Sequence, residues 1–117
     1  MAESLAPRER IRKKKEFLVL YKKGYRYKSK FFSLIGLSNA LTYSRVGVVA
    51  SKKVGNAVTR NRAKRRMREL FRRNKNLLTH PVDFIIVAMP AMREATWPEL
   101  KESYLQAVGK IFEKKRA

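Results

Sequence analysis

Residues 45–75 read RVGVVASKKVGNAVTRNRAKRRMRELFRRNK, and two periodicities meet inside them. Over RVGVVAS the β-branched residues alternate with small ones, which predicts a strand near 44–51. Gly55-Asn56 punctuates the chain, and Asn56 is placed to cap the helix that follows. From 57 to about 75 the period is helical: Ala63, Met67, Leu70 and Phe71 fall within an arc of about 100°. The rest of that wheel is filled by Arg62, Lys64, Arg65, Arg66, Arg68, Arg72 and Arg73. The stretch therefore predicts a strand, a loop and a helix with a narrow apolar keel and a wide basic back. Its one acid, Glu69, stands four residues before Arg73, an arrangement worth only about 0.2–0.5 kcal/mol.

Upstream, Phe17, Leu20 and Tyr21 share one face at spacings i, i+3 and i+4, which predicts a helix over about 13–23 with Gly24 as its C′ stop. KFFSLIGL predicts a strand near 30–37. Alternation puts Phe31, Ser33 and Ile35 on one face and Phe32 and Leu34 on the other, and leaves open which face is buried. Residues 1–12, polar and basic around Pro7, predict an extended arm. Downstream, VDFIIVAM (82–89), bounded by Pro81 and Pro90, predicts a strand covered on at least one face. Thr96 and Glu99 have capping-box spacing at the head of a helix over about 97–114, with Leu100, Tyr104, Val108, Ile111 and Phe112 as its stripe. The order helix, strands, helix, strand, helix, without a repeat, predicts one α+β domain over residues 1–117, a sheet with helices packed on it.

Charge is distributed unevenly along this frame. The net charge is +20, with +8 in residues 1–30, +1 in 31–51, +10 in 52–75 and +1 in 76–117. Eleven basic side chains against Glu69 between Lys52 and Lys75 repel one another unless a polyanion lies against them. Nucleic acid fits better than an anionic membrane, because neither basic block carries the broad, bulky apolar face of an interfacial helix. A hydrophobic content of 44% argues against disorder. No apolar run is long enough to span a bilayer, and no secretory signal pattern opens the chain. These features predict a soluble, cytoplasmic RNA- or DNA-binding protein.

Catalytic groups are scarce. The chain has no cysteine and one histidine, His80, expected as a solvated loop side chain with no carboxylate near it in sequence to orient it as a base. The nine acids show no paired arrangement for metal or acid–base work, and no Gly-rich phosphate loop or nucleophile elbow occurs. Binding chemistry is abundant instead. Arginine forks onto phosphate and stacks on bases, the Asn61 amide can reach a base edge or a backbone oxygen, and a helix start at Gly55-Asn56 aims N–H groups at an anion. Phe17 and Tyr21, flanked by Lys13, Lys14, Lys15, Lys22 and Lys23, are either core residues or a stacking face with a charged rim for a single strand.

The run from Arg45 to Val58, followed by Arg60-Asn61-Arg62, Lys64-Arg65 and Arg68-Glu69-Leu70-Phe71-Arg72, resembles the protein-component family of bacterial ribonuclease P. The likeness extends to Phe17 before Gly24 and to the strand ending Val87-Ala88. It implies an α/β sandwich in the order αβββαβα, with a left-handed βαβ crossover, similar to the second domain of ribosomal protein S5. It also implies a role as accessory subunit of an endoribonuclease whose RNA subunit is the catalyst. The implied partners are that catalytic RNA and precursor tRNA, with no membrane and no protein partner required. Magnesium would be bound mainly by the RNA, and no cofactor would be intrinsic to the protein. Carried over residue by residue, Lys52, Lys53, Arg60, Asn61, Arg62, Lys64, Arg65 and Arg68 would contact the RNA subunit and phosphates. Phe17, Tyr21, Ser33, Ile35 and Val49 would line a cleft for the 5′ leader. Ile35 stands where the family often has an aromatic, so apolar contact replaces stacking there. The competing class is a structural RNA-binding protein, ribosomal or assembly type, with no enzymatic complex.

Overall fold

A computed structural model describes residues 5–116, with side chains described through Phe112. Its main elements are α1 (Lys14–Lys23), β1 (Tyr25–Lys28), β2 (Phe32–Ser38), β3 (Arg45–Val49), α2 (Ala57–Arg73), β4 (Val82–Ala88) and α3 (Trp97–Arg116), joined by short 3₁₀ turns. The order is αβββαβα, in one four-stranded sheet arranged β1-β2-β4-β3. β2 is antiparallel to β1 and β4, while β3 lies parallel to β4. Parallel neighbours need a crossover, and α2 supplies it.

VDFIIVA forms a central strand because both of its faces are covered. Phe84 and Ile86 face α2 and α3, joining Phe32, Leu34, Met67, Leu70, Phe71, Leu100 and Tyr104 in the main core. Ile85 faces the other way and packs with Ile11, Leu20 and Ile35. Strand alternation thus decides what the sequence left open: the Phe32/Leu34 face carries the main core, and the Ser33/Ile35 face lies towards α1. Phe31, expected to share the Ser33/Ile35 face, precedes the strand and packs with the main core.

The local signals at helix ends are realised. Asn56 Oδ1 accepts from the Thr59 N–H at 2.9 Å. Thr96 and Glu99 exchange the two hydrogen bonds of a capping box, at 2.9 and 3.3 Å. Gly24 departs from expectation. Its φ of −72° is ordinary, so it is not a left-handed C′ residue. It is needed for closeness: a Cβ there would stand 2.6 Å from the Ile35 side chain and 2.7 Å from the Leu20 carbonyl. The chain passes directly from α1 into β1, a strand that the residue pattern did not reveal, although YRYK alternates two tyrosines with two cations, because it is only four residues long and mostly exposed.

The segment expected as an extended arm falls partly outside the described residues, over 1–4. From residue 5 onward it is docked. Leu5 and Ile11 are buried, Pro7–Glu9 makes a turn, and Arg10 bridges Val46 in parallel with the Ile11 N–H donating to the Val46 carbonyl at 2.9 Å.

Candidate nucleic-acid interface

Two surfaces are built from the basic and aromatic residues, one on each side of β3. The first begins where β3 ends. Lys52 and Lys53 are exposed on a turn that buried Val54 anchors. Gly55, at φ +152°, then turns the chain into α2 in a conformation that favours glycine. α2 presents its keel of Ala63, Met67, Leu70 and Phe71 to the sheet, all buried.

The basic back of α2 is not uniform. Arg66 donates to the carbonyls of Met92 (3.2 Å) and Ala95 (2.6 Å), so it clamps the turn before α3. Arg72 and Arg73 both bind Glu69, at 2.6 and 2.8 Å, and Arg73 also lies over the Trp97 ring. Arg60, Asn61, Arg62, Lys64, Arg65 and Arg68 make no side-chain hydrogen bond or ion pair with any described residue. Asn61, Arg62 and Arg65 are exposed; Arg60, Lys64 and Arg68 are half-buried.

Arg68 sits in an uncompensated environment. Burial first, and then the neighbouring charges of Arg10 and Arg12, hold its pKa below the ordinary arginine value. Arg10 contributes a buried Nε with no hydrogen-bond partner among the described residues. A groove of about 660 Å³ runs past Arg10, Arg62, Arg65 and Arg68 towards Trp97. Like charges gathered this way are stabilised by an anion that supplies both charge and acceptors. Sequence reasoning overlooked Arg10, because only the bridge to Val46 brings the N-terminal segment beside α2.

The second surface lies on the opposite face of the sheet, beside α1. Register places Ser33, Val87 and Val49 in one row across β2, β4 and β3, continued by Lys28 on β1. Phe17 and Tyr21 of α1 are half-buried and pack on the same small cluster as Val49 and Val87. Phe17 rests on β3, where glycine makes room: a Cβ on Gly47 would lie 2.6 Å from its Cζ. Arg26 donates to the Tyr21 carbonyl and its guanidinium lies 5.9 Å from the Tyr21 ring centre.

The face on which a leader cleft is expected thus has an apolar floor, two half-buried aromatic side chains and the cations Arg26 and Lys28 beside them. Ile35, expected among its lining residues, is instead 1% exposed. It is floor beneath Leu20 and Gly24, out of reach of a ligand. Lys28 and Val87 stand in the same row although sequence reasoning did not select them. Strand register, rather than any motif, carries the signal for both.

An ionic network fixes α1 over the sheet. Arg45 binds Asp83 through two bonds of 3.0 and 2.7 Å and reaches Glu16 of α1 at 3.0 Å. Asn39 donates to the same Asp83 at 2.8 Å. The hydrogen bond to Asp83 leads the causes that raise the Arg45 pKa above its ordinary value. Elsewhere, His80 is more engaged than expected: its Nε2 stands 2.8 Å from Ser38 Oγ, and its ring meets Phe112 edge-on. Among the described residues no group of three or more His, Asp or Glu side chains is placed to hold a metal ion. No described helix is long and apolar enough to cross a membrane.

Comparison with known proteins gives a consistent answer. The family model described as Ribonuclease P matches residues 5–112. The ribonuclease P protein component of Thermotoga maritima is 37% identical over 94 residues, 80% of each chain. That of Syntrophus aciditrophicus is 42% identical over 85 residues, covering 73% of this chain and 71% of the other. Among solved structures, the Staphylococcus aureus RNase P protein superposes with a TM-score of 0.77 at 32% identity, covering 89% of this chain and 97% of that one. The Thermotoga maritima protein does so with a TM-score of 0.74 at 30% identity, covering 84% and 93%.

Proposed function

This chain belongs to the ribonuclease P protein family, and on that premise we propose that it binds the catalytic RNA of the enzyme and the 5′ leader of precursor tRNA. In this reading the polypeptide assists magnesium-dependent removal of the leader and performs no bond cleavage itself. The magnesium ions of the reaction are held mainly by the RNA.

The observation that carries the reading is the division of labour on the basic helix. Arg66, Arg72 and Arg73 are occupied within the protein, whereas Arg60, Asn61, Arg62, Lys64, Arg65 and Arg68 make no ion pair with an acid among the described residues. Neutralising phosphates with such groups releases counterions and yields a steep salt dependence. On the other sheet face, Phe17 and Tyr21 supply what a phosphate-binding helix lacks, ring faces for unpaired bases. A duplex has no exposed ring faces to offer, so the cleft selects a single strand.

Reconstitution tests this. Protein alone should leave precursor tRNA intact; with its matching RNA at low magnesium it should stimulate cleavage. Affinity of the assembled particle should be higher for precursor than for mature tRNA and should rise with leader length. A purely structural RNA-binding protein would show neither stimulation nor leader dependence. Absence of stimulation across a magnesium series would overturn the proposal.

A further inference from the structure

β1 is an edge strand with two unlike faces. Arg26 and Lys28 pair with Ile35 and Ser33 and so lie on the cleft face, while Tyr25 and Tyr27 pair with Gly36 and Leu34 and lie on the α3 face. Tyr25 is 38% exposed, and Tyr27 packs by one side on the main core. Between this strand and α3 is a recess of about 400 Å³ lined by Tyr27, Gln106, Gly109 and Lys110.

Gly109 is the informative residue. It stands inside α3, where glycine weakens a helix relative to alanine, and neither usual reason for a glycine applies. It is not among the positive-φ residues, and a Cβ there would meet nothing within 4 Å. What the missing side chain does provide is depth, because it leaves the helix backbone as the wall of the recess facing Tyr27.

The geometry points to a nucleobase-binding site in this recess, distinct from the leader cleft on the other sheet face. A planar base would stack on the Tyr27 ring, with Gly109 leaving room for it. The Gln106 amide offers a donor and an acceptor for a base edge, and Lys110 adds positive charge to the rim of the recess. Arg26 and Lys28 then guide a single strand around the sheet edge from one face to the other. An RNA strand is favoured over a peptide because cations flank the site on both faces of β1, and the +20 chain attracts phosphate rather than a basic partner. The inference deepens the RNA-binding reading and rests on it.

Full-length protein titrated with a fluorescent single-stranded oligoribonucleotide tests the site. Tyr27→Leu and Gly109→Leu should each weaken binding by about tenfold, the lower part of the range for one lost base stack, while Tyr27→Phe binds as wild type. Gly109→Leu should at the same time raise the melting temperature, because leucine favours the helix, so weaker binding cannot be ascribed to unfolding. An oligonucleotide carrying 4-thiouridine should crosslink to the peptide containing Tyr27. In the assembled enzyme, an effect of Tyr27→Leu that disappears with a truncated leader assigns the base to the leader; one that persists assigns it to the RNA subunit. Unchanged affinity for both leucine variants, alongside weakened binding by Arg65→Ala, overturns the site and leaves the RNA-binding function standing. Failure of every protein, wild type included, to bind RNA overturns both.

Discussion

Replacing Gly47 with alanine tests how the aromatic wall is seated on the sheet. The new Cβ would stand 2.6 Å from Phe17 Cζ, 2.9 Å from Cε1 and 3.4 Å from Ile11 Cβ. Carbon atoms pack at roughly 3.5–4.0 Å, so the ring must retreat by about 1 Å. It has little freedom to do so, since Glu16, its neighbour on α1, is held by Arg45 at 3.0 Å. Overpacking of this kind costs about 1–3 kcal/mol. For a domain of this size that is a fall in melting temperature of about 4–12 °C, against a total stability of roughly 5–15 kcal/mol. The variant should therefore fold and be measurable.

A double-mutant cycle with Phe17→Ala isolates the contact. With the ring absent, Gly47→Ala should be neutral or slightly stabilising, since alanine restricts the unfolded chain more than glycine does. Coupling of about 1–3 kcal/mol follows. Circular-dichroism melts and urea titrations of the four proteins measure it. If Gly47→Ala costs the same with and without the ring, additive within about 0.5 kcal/mol, Phe17 does not rest on β3 and the cleft has been drawn wrongly. On the proposed function, Gly47→Ala should also reduce preference for precursor over mature tRNA while leaving association with the RNA subunit intact.

Arg65 and Arg66 are sequence neighbours with opposite expected behaviour. Arg65→Ala should weaken RNA association for precursor and mature tRNA alike and lower the salt slope by about one unit. Arg66→Ala should lower the melting temperature instead, because it frees the Met92 and Ala95 carbonyls, and should leave that slope unchanged. Asn56→Ala should cost about 1 kcal/mol by uncapping α2, with Asn56→Ser retaining most of the stability; thermal melts of both variants decide this. Glu69 has its pKa held below 4.5, first by the hydrogen bond from Arg72 and then by Arg73. The folded state therefore binds its proton less tightly than the unfolded chain, and the stabilisation is fully present above that value and lost as pH falls below it through the lower folded-state pKa. Glu69→Gln should melt lower than wild type at pH about 6, and the gap should close as the pH is taken progressively below 4.5, as a pH series of melts would show; parallel curves would refute the pairing.

Much of the fold is legible in the sequence because its signals are local. The cap at Asn56, the keel of α2, the capping box at Thr96 and the apolar run of β4 each depend on residues within a turn or a strand of one another. β1 was hidden because a four-residue edge strand buries little, and its two-tyrosine face is too short to stand out without a turn signal beside it. Gly24 does end α1 as its C-cap, but what requires a glycine there is the close approach of α1 to Ile35, which no local pattern shows. Ile35 itself, apolar and in the expected strand, could be assigned to a cleft only while the position of α1 was unknown.

The sequence by itself determined the charge pattern and, with it, the polyanionic class of partner. A charge of +20, gathered in two blocks on a chain poor in catalytic groups, is a property of composition and survives any folding. Tertiary structure alone decided which cations are available. A helical wheel sets Arg66 beside the keel and Arg65 opposite it, but only the fold shows that Arg66 is consumed by carbonyls 26 and 29 residues away while Arg65 faces solvent. Arg10 reaches the basic groove only through a bridge to Val46, and the Tyr27 recess exists only because α3 packs along β1. Such pairings join groups far apart in the chain, and their energies depend on distance and burial, which no local pattern encodes.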